Sequence, residues 1–345
     1  MDTNYAAFLV GHMRKPLLVG ETEVRLADEN EIVIRNAAVA VNKIDVLMQD
    51  APWSIPDYPL ILGTDVAGEV VEVGSQVPNF GVGDRVLGHA LRLATEDDRH
   101  AAFQHYTVLM PNMACAIPPT MSYESAAVLP LGVSTAAAGL FQDDTLALEP
   151  PRVYPQKKNV WVIVMGATGS VGSNAVRLAV AAGYNVIATA SPRNFEIARQ
   201  LGAAQVVDYN SPNLVYELVH ALYGDRIAGA FDATGREDSI KAAVATVSRC
   251  EGNQVVATVA DWIDPAWDLC RSVKTKPIMA VAIRENKVGK MVYEDFLPHA
   301  LAVGTYMRYP KPLVYGEGLS SIQGALGKSK DGKATRGKKV VVTLS

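Results

Sequence analysis

The sequence predicts an α/β protein in two parts: a doubly wound parallel sheet, and a barrel-like β domain assembled from both chain ends. Three observations predict it. Residues 160–172 read VWVIVMGATGSVG, a near-continuous apolar run that passes straight into a glycine-rich turn. Residues 121–310 alternate strand-like and helix-like segments, the pattern of a parallel sheet covered on both faces. Residues 1–120 carry short strands separated by Gly and Pro turns, as small barrels do. The expected division is residues 1–125 with 311–345 for the β domain, and 126–310 for the parallel sheet.

Along the chain, Glu31–Val41 and Asp65–Val73 have the branched and alternating apolar content of strands, and Gly81–Leu87 is a turn entering one. Gln142–Lys158, rich in Pro and charge, is a surface loop. Val160–Met165 is apolar throughout, as expected of a parallel strand buried on both faces. A helix from about Ser170 to Ala182 and a second strand, Asn185–Ala190, complete a βαβ unit. Further strands are expected at Gln205–Asp208, Ala228–Ala233, Gln254–Val259 and Ile278–Ile283. The helices between them fall near Asn194–Leu201, Asn213–Leu222 and Asp238–Arg249. The tail returns to the first domain through a helix (Leu319–Leu326), a solvated Lys/Gly loop (Gly327–Lys339) and a strand (Lys339–Leu344). The basic side chains of that loop have the alternative of facing a bound phosphate.

The glycine turn carries the first chemical signal. Gly166, Gly169 and Gly172 allow a tight turn, close approach of backbone to a phosphate, and close packing of helix on strand. Their G-x-x-G-x-x-G spacing departs from G-x-G-x-x-G, and the surrounding βαβ unit is what gives the motif meaning. The helix N-terminus offers free N–H groups to a pyrophosphate. An NAD-binding strand would end in an acid that bonds the ribose hydroxyls. Here Asn185–Ala190 ends in Ser191-Pro192-Arg193-Asn194, with no acid. Ser191 can hydrogen-bond a 2′-phosphate and Arg193 can pair with it, so the residues favour NADPH. Ser191-Pro192 also has the form of a helix cap.

Composition narrows the class. The 345 residues suggest two domains, and a 49% hydrophobic content supports a sizeable core. A net charge of −4 without a basic stripe gives nucleic acid nothing to bind. No apolar run reads as a membrane span, and the first residues lack the order of a signal peptide. Three scattered cysteines, Cys115, Cys250 and Cys270, form no disulfide framework and point to the cytosol.

Several motifs then fall in a familiar order. These are LGTDVAGEVVEVG at Leu62–Gly74, VGDRV at Val82–Val86, LPLGVSTAAAGL at Leu129–Leu140, and the GATGSVG turn. The SPRN segment, Val207-Asp208-Tyr209 and the terminal GKKVVVTL follow. The whole chain resembles the medium-chain dehydrogenase/reductase superfamily, and within it the fungal trans-acting enoyl reductases of the lovastatin and toxin-cluster type. That resemblance implies a zinc-free enzyme that binds NADPH and reduces an α,β-unsaturated thioester held on a partner polyketide synthase. It implies cofactor contacts from Thr135, Gly166, Thr168, Gly169, Ser170, Val171, Ser191, Arg193, Asn194, Tyr209 and Gly337. It places Asp45 and Thr135 in catalysis, and Ile44, Leu47 and Ile283 toward the substrate.

One departure matters. Asn42–Met48 (NKIDVLM) corresponds to the family's Asn-Pro-x-Asp-x-Lys, so the lysine falls at Leu47 and the proline at Lys43. Leucine donates nothing, and on an extended segment Lys43 would point elsewhere. Asp45 is retained, and its plainer role is to fix the loop through backbone N–H groups. Tyr58, His89 and Tyr106 are further candidate donors. Two alternative readings stand beside enoyl reduction. One is a quinone or alkenal reductase acting on free small substrates. The other is a reductase-like protein that transfers no hydride and instead binds NADPH structurally, binds a partner synthase, or shapes a reactive polyketide intermediate towards cyclisation.

No metal is expected. The family's Gly-His-Glu is here Gly63-Thr64-Asp65, no cysteine lies near Asn42–Asp45, and a structural zinc lobe would need four close cysteines. His100 and His105, beside Asp97 and Asp98, read as loop residues. Tyr154 and Lys158 have Tyr-x-x-x-Lys spacing, but they precede a strand with Pro155 between them. Trp262, Trp267, Met279, Ile283 and Phe296 are candidates to shape a pocket. A monomer and a homodimer paired through Ile278–Ile283 are both compatible with the sequence.

Overall fold

The computed structural model describes residues 3–344 apart from 25, 51–57, 262, 265–269, 333–334 and 336. In chain order the elements begin β1 (Asn4–Leu9), β2 (Leu18–Thr22), β3 (Ile32–Ala40), α1 (Lys43–Asp50), β4 (Leu60–Ile61), β5 (Asp65–Val73) and β6 (Arg85–His89). They continue α2 (Arg92–Thr95), β7 (Tyr106–Leu109), β8 (Ala114–Ala116), α3 (Tyr123–Ala127) and α4 (Pro130–Phe141). A βα alternation follows: β9 (Val160–Met165), α5 (Ser170–Ala181), β10 (Asn185–Ala190), α6 (Phe195–Gln200), β11 (Gln205–Asp208), α7 (Leu214–Ala221), β12 (Arg226–Asp232) and α8 (Glu237–Val247). The remainder is β13 (Glu251–Gly252), β14 (Val255–Thr258), β15 (Lys274–Pro277), α9 (Lys287–Lys290), α10 (Leu297–Ala302), β16 (Lys311–Glu317), α11 (Ile322–Lys330) and β17 (Lys338–Thr343).

The chain divides into two units, Met1–Leu131 with Arg308–Ser345, and Gly132–Met307. The first is built on a mixed sheet in the order β16-β17-β3-β5-β6-β8, with β7 also on β3, and a small sheet β2-β1-β4. Its long β3–β5 ladder is antiparallel and carries two register shifts, so the sheet bends as a barrel wall does. Ile32, Ile34, Val39, Val66, Val70 and Phe103 lie in its core, all fully buried.

The second unit is a parallel sheet in the order β11-β10-β9-β12-β14-β15. Numbered within the unit, with the two-residue β13 that pairs with β12 left aside, this is the 3-2-1-4-5-6 order of doubly wound dinucleotide-binding sheets. The order reverses between β9 and β12, and ligands of such sheets bind outside the carboxyl ends of the strands at that point. Ile163, Ile187, Ala230 and Val256, alternating along four adjacent strands, are buried against α7 and α8.

Several expectations are corrected. Ile278–Ile283 is not a strand: β15 precedes it, and Ala280–Glu285 is a 3-10 helix. β15 reads KTKP, and lysines with a closing proline suit an edge strand better than an apolar run would. Asn42–Met48 is not extended, since α1 begins at Lys43. His100 is no loop residue; it is buried, with Nε2 2.9 Å from Glu31 Oε1 and Nδ1 3.0 Å from Thr95 Oγ1. Tyr123–Phe141 is long and apolar enough to cross a membrane, contrary to the sequence reading, but 78% of its most apolar window is buried in the protein. The Gly327–Lys339 run is not a solvated loop throughout. α11 extends to Lys330, which pairs with Asp50, and Lys339 lies buried in β17.

Candidate functional site

The second unit gathers most of the predicted cofactor residues at one sheet edge. β9 ends at Met165, and Gly166 turns the chain with φ +77°, a conformation that favours glycine. Its N–H donates to Thr189 Oγ1 at 3.0 Å, tying the turn to β10. The three glycines do different work. A Cβ on Gly172 would sit 2.2 Å from Gly166 O, so Gly172 lets α5 pack on the turn. A Cβ on Gly169 would meet nothing closer than 4.0 Å, so that position faces open space above the helix N-terminus. Gly169 is the N-cap of α5 and provides no side-chain cap, which leaves first-turn N–H groups to a ligand. Ser170 Oγ is buried with no hydrogen-bond partner among the described residues. An open glycine and an orphaned hydroxyl at one helix start are what a dinucleotide pyrophosphate would complete. Val171 continues the same turn.

Beyond β10, Ser191 caps a 3-10 turn (Pro192–Asn194) by position only, because its side chain makes no cap hydrogen bond. The hydroxyl therefore stays available to a ligand. Asn194 Nδ2 donates to Thr168 Oγ1 at 3.3 Å, linking this segment to the glycine turn. Arg193 is exposed. Tyr209, half-exposed, follows β11, and its N–H bonds Ala190 O at 3.3 Å. Serine, arginine and tyrosine thus follow two adjacent strands at their carboxyl ends, with no acid at the end of β10.

Residues that local reasoning missed brace this cradle. Asn174 Nδ2 donates to Ser170 O at 2.8 Å, and Tyr306 OH donates to Asn174 Oδ1 at 2.6 Å. Arg177 also donates to Asn174 Oδ1, at 2.7 Å, and stacks 4.3 Å over the Tyr306 ring. At the switch point, Asp232 accepts from Thr234 Oγ1 (2.8 Å), Gly235 N (2.9 Å), Ser239 Oγ (2.6 Å) and Thr258 Oγ1 (2.7 Å). That carboxylate fixes the loop after β12, where Thr234 lies so close to Gly166 that a Cβ there would stand 2.6 Å from its Cγ2. Thr135 is buried one turn into α4, and neighbouring Ser134 shares a 2.7 Å hydrogen bond with Tyr293 OH. Tyr293 lies in a π-helical turn, Met291–Phe296. Ile283 is fully buried, Met279 exposed, and Phe296 packs edge-on against Tyr306. Trp262 and Trp267 lie outside the described residues.

The remaining predicted residues belong to the first unit. Asp45 Oδ2 accepts from Asn42 N at 2.7 Å, one of the two bonds of a capping box, at the start of α1. Asp45 is wholly buried. Burial raises its pKa from 3.8 to about 7, the nearby Asp65 carboxylate adds to the rise, and the Asn42 N–H opposes it. His89 is equally buried, and burial lowers its pKa from 6.5 to about 4, leaving a neutral imidazole. Lys43 and Leu47 are four apart on α1 and both exposed, so they share one helix face. The expectation that Lys43 points away from Leu47 is therefore corrected by the helix. Ile44, half-buried, packs on the first core. Gly337, at φ +63°, leads into β17 beside Tyr309 and belongs to the first unit.

Asp65 stands where the family's metal-binding acid would be, and it is committed elsewhere. It pairs with Lys339, accepts from Asn42 Nδ2 at 2.8 Å and from Leu131 N at 2.6 Å. Thr64, in the histidine position, accepts from Asn42 Nδ2 at 2.9 Å. A lysine ammonium, a threonine and one carboxylate are not a zinc donor set. Among the described residues no group of three or more His, Cys, Asp or Glu could hold a metal ion.

A doubly wound sheet with a glycine-lined crevice at its switch point is the architecture of a dinucleotide-binding domain. Residues 28–119 match the family model described as alcohol dehydrogenase GroES-like domain, and residues 170–261 match that of zinc-binding dehydrogenase. The chain is 43% identical to the zinc-binding alcohol dehydrogenase domain-containing protein cipB of Emericella nidulans, over 99% of this chain and 98% of the relative. It is 35% identical to the trans-enoyl reductase himH of Aspergillus japonicus, over 99% and 98%. The CurK enoyl reductase structure superposes with a TM-score of 0.75 over 100% of both chains at 23% identity, which shows the fold. The chain belongs to the medium-chain dehydrogenase/reductase superfamily and is an oxidoreductase of the enoyl-reductase-like type that uses a nicotinamide cofactor.

Proposed function

We propose that this protein is a zinc-independent, NADPH-dependent reductase of an α,β-unsaturated thioester, acting in trans on a polyketide synthase. The observation that carries the cofactor assignment is the end of β10, where Ser191 and Arg193 replace the acid of an NAD site and Tyr209 follows the adjacent strand. A carboxylate there would repel a 2′-phosphate, whereas a hydroxyl and a guanidinium bind it. The substrate class is supported by whole-length relatives named trans-enoyl reductases.

NADPH supplies the hydride. The chain's own residues bind and orient: the turn from Gly166 to Val171 holds the pyrophosphate, and Thr135 on α4 is the proposed contact to the nicotinamide end. Negative charge developing on the thioester oxygen calls for a fixed donor or cation. Lys43, one helical turn before Leu47, offers an ammonium on the face that Ile44 and Leu47 flank. Asp45, already bound to the α1 N-terminus, acts in shaping that segment. The decisive test follows NADPH absorbance with α,β-unsaturated thioesters of increasing chain length. Loss that depends on the thioester supports the assignment. Oxidation with free quinones or alkenals alone supports the detoxification reading, and tight binding without oxidation supports a non-redox role.

A further inference from the structure

We propose that the buried Lys339–Asp65 ion pair is a positioning device that sets the segment before α1 and the start of α4 in one arrangement. The proposal rests on the reading above that Asn42–Met48 serves the substrate and α4 the nicotinamide end of the cofactor. Asp65 is wholly buried and Lys339 is 6% exposed. The carboxylate collects four parts of the chain. Asp65 opens β5, Lys339 comes from the C-terminal strand β17, Asn42 precedes α1, and Leu131 N lies in the first turn of α4. Oδ2 takes Lys339 Nζ and Asn42 Nδ2, while Oδ1 takes Leu131 N. Lys339 Nζ also donates to Val128 O at 3.3 Å, just before α4. One cation thus restrains the carboxylate and, through Val128 O, the approach to the same helix.

Stability is a poor explanation for this arrangement. Removing two charges from water offsets most of their attraction, and an apolar pair of similar size would hold the fold as well. What an apolar pair lacks is direction. Donors from three segments converge on one carboxylate, and their bonds fix where Asn42 and Leu131 stand relative to β5. From Asn42 the chain runs directly into Lys43, Ile44 and Leu47, and from Leu131 it runs along α4 to Ser134 and Thr135. Lys339 acts through these neighbours rather than on the reacting atoms.

The test uses the full chain with Lys339→Met, Asp65→Leu and the two combined. Amide hydrogen exchange is read at Leu131, with steady-state kinetics on NADPH and an enoyl thioester, and NADPH affinity by fluorescence. In Lys339→Met, Leu131 exchange rises and kcat falls, each by about tenfold, the scale of one charge-assisted hydrogen bond, while NADPH affinity stays within about twofold. The combined variant melts like the parent yet recovers neither quantity, because direction is still lost. A folded Lys339→Met with unchanged Leu131 exchange and kcat overturns the proposal. So does recovery of parental kcat in the combined variant, which would make the pair a charge balance only. Should Lys339→Met fail to fold, the apolar combined variant reads the same two quantities. Should the parent protein reduce no thioester, the enoyl reading fails, and Leu131 exchange alone decides the positioning role.

Discussion

The two units approach ligand chemistry by opposite means. The second prepares its site with backbone and empty space: an open Gly169, uncapped N–H groups and an orphaned Ser170 hydroxyl at the head of α5. The first works with buried ionisable groups: Asp65 and Lys339, sealed from water, act on the ionisation of the equally buried Asp45 and His89. A phosphate site tolerates change wherever the backbone stays in place, because backbone N–H groups carry the binding. A buried charge cluster does not, because each member sets the energy of the others.

The largest effect expected in this comparison separates two glycines of one turn. Gly172→Ala drives a methyl into Gly166 O and should destabilise the protein by about 3 kcal/mol or more, a fall in melting temperature of roughly 5–10 °C. Gly169→Val should melt near the parent yet lose NADPH binding by about 100-fold or more, since the side chain fills the pyrophosphate space. Parental affinity in a folded Gly169→Val protein would remove the phosphate from that turn.

The charge cluster is probed by pH. Asp45 titrates higher folded than unfolded, so its contribution is complete below pH 3.8 and drains away as pH rises toward about 7. His89 titrates lower folded than unfolded, so its contribution is complete above pH 6.5 and drains away as pH falls toward about 4. Between those limits the two slopes oppose, each at most about 1.4 kcal/mol per pH unit. Asp45→Asn should leave only the His89 slope, so denaturation midpoints would rise with pH from 4 to 6.5. An unchanged profile would mean that Asp45 is ionised in the folded protein.

Smaller effects sharpen each half. Arg193→Ala should weaken NADPH binding by roughly 10- to 100-fold, the worth of a charged hydrogen bond, and NADH binding little. Equal losses would end the 2′-phosphate assignment. On α1, Lys43→Met should lower turnover several-fold, and Leu47→Lys on the same face should restore part of it. Kinetics indifferent to both would put that face outside the reaction.

The glycine turn, the parallel strands and the SPRN segment were legible because each is a local event: apolar continuity, a backbone turn, or an acid that did not appear. α1 was locally signalled as well. Asn42 and Asp45 have the spacing of a capping box ahead of apolar residues, and reading the segment as extended passed over it. Ile278–Ile283 misled because a branched apolar run serves a buried helical turn as readily as a strand. What the sequence by itself determined is therefore the fold class, the glycine turn at the head of the dinucleotide crevice and the missing acid at the end of β10, all set by neighbours in the chain. Only the tertiary structure decided that Lys339 is buried rather than solvated and that it meets Asp65, 274 residues away. The same holds for Tyr306 reaching Asn174 across 132 residues to brace the cradle. A charge in a sequence carries no record of its partner, and burial, which makes that partner obligatory, exists only once the chain has folded.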